Sequence, residues 1–363
     1  MSIIIRSINN SKIELLLNKK NITVSINNDY EKFIIYRDLV LYISLLTISS
    51  SSKYSYKDNE KYVEKFINSI ACLLNKHKFS IGIGYGYSGI GYMLYVLSHI
   101  TKKYENLHSE IDKKIIDYLY LLFNYGFEKD KFINLQNINV FLDYFKGLTG
   151  ILNYLDIVNN EDPIIRKIIL ELCENLIIFK DYNKVTLGIA HGYSGLLLFL
   201  IKTRYLSVEE KKKFFNIIQE KLKFTQYDNL DIRINDLSWG NGKYGYLYVL
   251  ILIKNLLGLS IENEKKEMFN LCNISKMFTY KKNLCSGIDG CLQMTLNLYK
   301  YKLINSKELD KLSRLINSKY RNKELCNYYN VKEMSVINGI LAENLVEKLN
   351  KNGKKIYSMY FMI

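Results

Sequence analysis

Gly192-Tyr193-Ser194-Gly195-Leu196-Leu197-Leu198-Phe199-Leu200-Ile201 couples two glycines, three positions apart, to an unbroken apolar run. The same arrangement recurs at Gly86-Tyr87-Ser88-Gly89, Gly147-Leu148-Thr149-Gly150, Gly242-Lys243-Tyr244-Gly245 and Gly287-Ile288-Asp289-Gly290, with a weaker copy at Gly339-Ile340-Leu341-Ala342. Between successive first glycines the steps are 61, 45, 50, 45 and 52 residues, enough for two helices and their connections. Self-similarity of this kind is the mark of a repeat architecture.

The segments between the turns supply the second helix of each pair. Val63, Phe66, Ile67, Ile70, Leu73 and Leu74 follow the three-and-four spacing of an amphipathic helix. Ile111, Ile115, Ile116, Leu119 and Leu122 do the same, with Gly126 as a C-terminal stop. Asp162-Pro163 opens another helix, with the chain's one proline at the first helical position. Ser207-Val208-Glu209-Glu210 has the capping-box pattern ahead of Phe214, Phe215, Ile217 and Ile218.

These helices are charged on one face, whereas Leu196–Ile201 and Tyr246–Ile253, which follow glycine turns, are apolar on nearly all sides. The pattern predicts an all-α fold, the apolar helices forming an inner ring and the amphipathic ones an outer ring. Glycines at crowded inner N-termini would let backbones approach and permit positive φ. Converging N-termini would give a central pocket exposed N–H groups and a positive potential. Recurrence alone is equally compatible with an open solenoid.

With 363 residues, 48% hydrophobic and 24% charged, the chain is globular and long enough for a sizeable core. No apolar run approaches the roughly 18 to 20 residues of a membrane span. Met1-Ser2-Ile3-Ile4-Ile5-Arg6 lacks the features of a signal peptide, so the expected location is cytoplasmic. Six cysteines form no Cys-x-x-Cys pair, which argues against a disulfide framework or a zinc ribbon. Cys72 and Cys173 read as core residues, and His77, His99 and His108 as surface ones.

The net charge of +15 suits an acidic partner, either a carboxylate-bearing peptide or a nucleic acid. The lysines are spread along the chain, which favours compositional drift, and no basic stripe interleaved with aromatics marks a nucleic-acid site. Before residue 80 there is no glycine turn; Glu31–Thr47 reads as an apolar helix and Ser49–Ser55 as a polar linker. The expected organisation is therefore an atypical helical segment over residues 1–79, part of the ring or a docking element, and a repeat unit over 80–363.

The residues around the turns carry a resemblance. Leu187-Gly188-Ile189-Ala190-His191-Gly192-Tyr193-Ser194-Gly195 looks like a Gly-x-Ala-His-Gly-x-x-Gly signature, and Ser238-Trp239-Gly240-Asn241-Gly242 resembles Ser/Ala-Trp-Cys-Tyr-Gly. Cys285-Ser286-Gly287-Ile288-Asp289-Gly290 is similar to Cys-His-Gly-x-x-Gly, and Asp143 through Gly150 to Asp-x-x-x-Gly-x-x-Gly. In this order the motifs resemble those of the lanthionine synthetase C-like family, the cyclases of lantibiotic biosynthesis and their relatives. The resemblance implies an α/α toroid. In active members it implies zinc-assisted addition of a peptide cysteine thiol to dehydroalanine or dehydrobutyrine.

A thiol is a poor nucleophile until it becomes a thiolate, and a catalytic zinc that achieves this needs about three protein ligands. The family's ligands fall at Gly240, Cys285 and Ser286, so only Cys285 survives and no cofactor is expected. His191 matches the family's proton-transfer histidine and Asp143 its pocket aspartate, making both candidate acid/base residues. Trp239, Gly240, Asn241, Ser286, Gly192, Gly242 and Gly287 would line the pocket. Asn241 replaces a tyrosine and Asp236 an arginine, with Arg233 out of register. A rebuilt metal site would draw on Asp236, Asp289, Cys291 and His191. Against this, Cys291 falls inside an inner helix, and Asp289 sits where capping alone expects a carboxylate.

The expected function is peptide modification in lanthipeptide biosynthesis. The chain would bind a precursor peptide in its cavity, zinc-dependent cyclisation lost, alongside a lanthipeptide dehydratase or partner cyclase. The alternatives are an active cyclase with a rebuilt or metal-free site, and a basic nucleic-acid-binding helical repeat protein.

Overall fold

The structure, a computed structural model, describes residues 3–8, 11–17, 20–50, 54–84, 86–126, 142–178, 188–223, 237, 240, 242–274, 288–318, 328–329 and 341. It opens with strands. β1 (Ile3–Ile8), β2 (Lys12–Leu17) and β3 (Lys20–Ser25) form an antiparallel meander, with a bulge in β1 between Ile5 and Ser7. Ile13 and Leu15, then Ile22 and Val24, alternate into the core with the two-residue period of a half-buried sheet. The helical reading of residues 1–79 is thus corrected at Ile3–Ile8, Lys12–Leu17 and Lys20–Ser25, which are strands, and the first helix is α1 (Asp29–Ser50).

After α1 come α2 (Tyr54–Lys57), α3 (Glu60–Lys76), α4 (Tyr87–Ser98), α5 (Glu105–Gly126), α6 (Leu148–Ile157) and α7 (Pro163–Ile178). Then follow α8 (Tyr193–Lys202), α9 (Val208–Lys223), α10 (Lys243–Leu257), α11 (Glu262–Ile274), α12 (Ile288–Lys300) and α13 (Ser306–Asn317). The helices that begin at glycine turns form one row, α4 on α6, α6 on α8, α8 on α10 and α10 on α12, and α1, which follows no glycine turn, packs on α4 at its start. The amphipathic helices form a second row, with α5 on α7, α7 on α9 and α11 on α13. Pairs α4–α5, α10–α11 and α12–α13 join the rows. A short strand, β4 (Tyr328–Tyr329), pairs parallel with β3 through Thr23–Tyr328 and Val24–Tyr329. It ties the segment beyond α13 to the sheet that precedes α1.

Local chemistry explains the helix ends. Asp162 Oδ1 accepts the Ile164 N–H at 2.9 Å, with Pro163 at the first position of α7. Ser207 and Glu210 form the expected capping box, each side chain accepting the other's backbone N–H at 3.1 and 2.8 Å. Asn305 and Glu308 build a second box at α13. In α8, Tyr193 through Leu200 are all buried, each large apolar side chain stabilising the fold by roughly 1.5–3 kcal/mol.

Close approach, not positive φ, accounts for the paired glycines. The first glycines Gly86, Gly147, Gly192 and Gly242 have φ of −133°, −101°, −143° and −90°, which corrects that part of the expectation. The second glycine lies under the loop leading into its own helix. A Cβ there would fall 2.4 Å from the Ile83 carbonyl oxygen at Gly89, 1.8 Å from that of Tyr144 at Gly150, and 2.2 Å from that of Ile189 at Gly195. The N–H groups at the start of α4 are also not exposed donors: Tyr87 and Ser88 donate to the carbonyls of Ser80 and Ile81, both at 3.0 Å.

Two further expectations change. Cys173 is buried, but Cys72 is exposed. At about 100° per residue it falls opposite the apolar stripe of α3. His108 is not a surface residue: its Nε2 lies 2.9 Å from Tyr154 Oη, and that hydroxyl donates to the Asp112 carboxylate. Burial pushes His108 below its ordinary value and Asp112 above its own. Among the described residues, no helix is long and apolar enough to cross a membrane.

Candidate functional site

The loops entering the helices that follow the glycine turns are stitched side by side through their backbones. Gly84 N–H donates to the Phe145 carbonyl at 2.7 Å, Tyr144 N–H to Ala190 at 2.8 Å, and Ala190 N–H to Gly240 at 2.9 Å. Gly84, Phe145, Ala190 and Gly240 each stand two residues before the first glycine of their turn. Four successive repeats are therefore joined at this one position, except that the second donor, the Tyr144 N–H, stands three residues before its glycine. These bonds hold the turns in register and satisfy peptide groups that would otherwise be buried unpaired.

Two side chains bridge neighbouring turns within this frame. Asp143, four residues before Gly147, anchors its own loop: Oδ1 accepts the Lys146 N–H at 2.7 Å, and its carbonyl accepts that of Gly147 at 2.9 Å. Oδ2 lies 2.7 Å from Nδ1 of His191, the residue directly before Gly192. The aspartate side chain is 13% exposed and the histidine 41%. In the neutral ring this contact puts the proton on Nδ1 and leaves the lone pair on Nε2. The Phe145 ring packs 5.8 Å from the imidazole.

The first candidate metal position sits in the ladder itself. Gly240 is buried, offers no side chain, and its carbonyl accepts the Ala190 N–H. Cys291 is buried, its Sγ donating to the Leu237 carbonyl at 2.7 Å, so it serves the packing of α12 against the preceding turn. Asp289 lies in the first turn of α12. Trp239, Asn241, Cys285, Ser286, Gly287, Asp236 and Arg233 lie outside the described residues, as do Gly339, Ile340 and Ala342 of the weaker repeat. Among the described residues, no group of three or more His, Cys, Asp and Glu could hold a metal ion. With glycine and serine at two of three ligand positions, the donor set does not fit a catalytic zinc.

Sequence reasoning missed Arg37. It is fully buried in α1, its Nε donates to Asp38 Oδ1 at 2.9 Å, and its Nη1 donates to the Gly84 carbonyl. The helix before the first glycine turn is thereby fastened to the backbone ladder. The signal was present as a charged pair in the middle of the apolar run Phe33–Leu46.

A search of curated proteins finds no match. The family model described as lanthionine synthetase C-like protein matches residues 40–341, from within α1 to beyond β4. The match takes in every described glycine turn together with His191 and Asp143, and on this ground the chain belongs to the lanthionine synthetase C-like family.

Proposed function

We propose that this chain binds a precursor peptide of a lanthipeptide-type system in the cavity of an α/α toroid and has lost zinc-dependent thioether cyclisation. The observation that carries the reading is the Asp143–His191 pair, held at 2.7 Å across two adjacent turns while the ligand position at Gly240 has no side chain. The polar pair of the site persists where the metal chemistry has gone. Closure of the helix rows into a toroid is supported by the β3–β4 pairing, which draws the two ends of the row together. We read residues 1–79 as part of the same unit. The packing of α1 on α4, the Arg37–Gly84 bond and a family match that begins inside α1 support this. A dehydratase or partner cyclase would then supply the reactions on either side of binding.

The same pair favours a second reading, metal-free thiol addition. Nε2 of His191 would take the proton of a peptide cysteine and the sulfur would add to the β-carbon of a dehydroalanine. The proton would then return to the α-carbon, leaving the atoms balanced.

Titrating a fluorescent dehydrated peptide that contains one cysteine, then alkylating its free thiol, separates the readings. Binding with the thiol still fully alkylated is the expected result. Loss of the thiol in the native chain but not in His191→Ala establishes the second reading. Absence of binding overturns both.

A further inference from the structure

Outside the glycine turns, the chain carries a basic groove between β1 and α3. We infer that it docks an acidic, extended peptide segment. The groove encloses about 840 Å³. Lys61, Lys65, Cys72 and Lys76 line one wall, along the solvent stripe of α3 opposite its buried face. Arg6 of β1 and Lys32 of α1 complete the cationic lining. Ile8, Tyr62 and Leu73 add apolar surface between the charges.

The carboxylates bordering the groove are already engaged. Glu64 pairs with Lys103 at 2.7 Å and Asp29 with His77 at 3.1 Å. Among the described residues, no carboxylate lies within ion-pair distance of Arg6, Lys32, Lys61, Lys65 or Lys76. Five cations thus share one concave surface, where an anionic ligand relieves their mutual repulsion.

The geometry selects a peptide held by its side chains. Strand addition at β1 is obstructed, because the Ile5 N–H donates to Asn59 Oδ1 at 3.0 Å and the Arg6 carbonyl accepts the Tyr62 hydroxyl at 3.3 Å. From Lys61 to Lys76 the helix rises roughly 22 Å at 1.5 Å per residue, which spans about six or seven extended residues. Single-stranded nucleic acid requires a series of aromatic platforms, and among the described residues only Tyr62 faces this groove. The apolar surface instead suits a segment in which acidic and apolar side chains alternate.

The test uses the full chain and a fluorescein-labelled ten-residue peptide alternating Glu or Asp with Leu, free of cysteine and dehydrated residues. Its result is therefore independent of the His191 site. Anisotropy titrations compare the native chain with Lys61→Glu/Lys65→Glu/Lys76→Glu. The control Lys212→Glu/Lys213→Glu/Lys266→Glu makes the same change of charge on α9 and α11. The groove variant is expected to bind at least about tenfold more weakly, the control to stay within about twofold, and the peptide to slow maleimide labelling of Cys72 in the native chain. Equal weakening in both variants, or labelling of Cys72 unaffected by saturating peptide, overturns the proposal. So does tighter binding by a single-stranded oligonucleotide of equal charge that the groove variant abolishes.

Discussion

Nδ1 of His191 lies 2.7 Å from Oδ2 of Asp143, a contact that joins two adjacent repeats 48 residues apart in sequence. Because the same carboxylate also accepts the Lys146 N–H, its position is set by backbone before the histidine arrives. Asp143→Asn should weaken the tautomer preference of His191, visible in the ¹⁵N shifts of the imidazole as mixed protonation of Nδ1 and Nε2. Asp143→Ala, which also releases the Lys146 N–H, should cost about 2 kcal/mol in denaturant unfolding. An unchanged imidazole spectrum in Asp143→Asn would contradict the geometry.

Gly150 and Gly258 separate two uses of glycine. A Cβ on Gly150 would press on the Tyr144 backbone oxygen, so Gly150→Ala should destabilise by about 3 kcal/mol. Gly258 ends α10 with φ of +72° and open space around it. Gly258→Ala should cost only about 1–2 kcal/mol, from the left-handed conformation alone. Urea unfolding of the two variants would reveal the order.

The buried Arg37–Asp38 pair holds the Gly84 carbonyl. Removing one partner takes the buried ion pair from the other charge, so Asp38→Ala should cost about 3–5 kcal/mol. Arg37→Met combined with Asp38→Leu should cost less than the sum of the single changes. Strict additivity in a double-mutant cycle would mean that the two side chains are not coupled.

Acid should weaken the α9 cap in a defined range. The Arg166 guanidinium and then the Ser207 N–H hold the Glu210 carboxyl down, from an ordinary 4.5 to about 2. Between those values the folded chain binds fewer protons than the unfolded one. Stabilisation is therefore complete above about 4.5 and lost as the pH falls towards about 2. In Glu210→Gln, melting followed over this range should lose that part of the acid dependence.

Restoring donors should restore metal. Gly240→Cys with Ser286→His would return, beside Cys285, the ligand types that the family pattern contains. After dialysis against a mild chelator, elemental mass spectrometry should find zinc in stoichiometric amount in this variant and not in the native chain. Stoichiometric zinc in the native chain would mean that residues outside the family pattern bind it.

Much of the helical plan was legible because its signals are local. The apolar stripe of α3, the Ser207–Glu210 box and the position of Pro163 each lie within one helix, where periodicity and capping act over a turn or two. The meander was legible in principle through Ile13, Leu15, Ile22 and Val24, but alternation over six-residue strands is a weak signal beside long helical runs.

The sequence by itself determined the glycine turns, which helices are apolar on nearly all sides and which are amphipathic, the family and the missing zinc donors, all properties of residue identity and short-range spacing. The tertiary structure alone decided that Asp143 meets His191, that Arg37 reaches Gly84, and that His108 is half-buried against Tyr154. It also brought Arg6 of β1 and Lys32 of α1 beside the lysine stripe of α3. Each of these contacts joins separate elements, and its geometry follows from how the helices and the sheet pack.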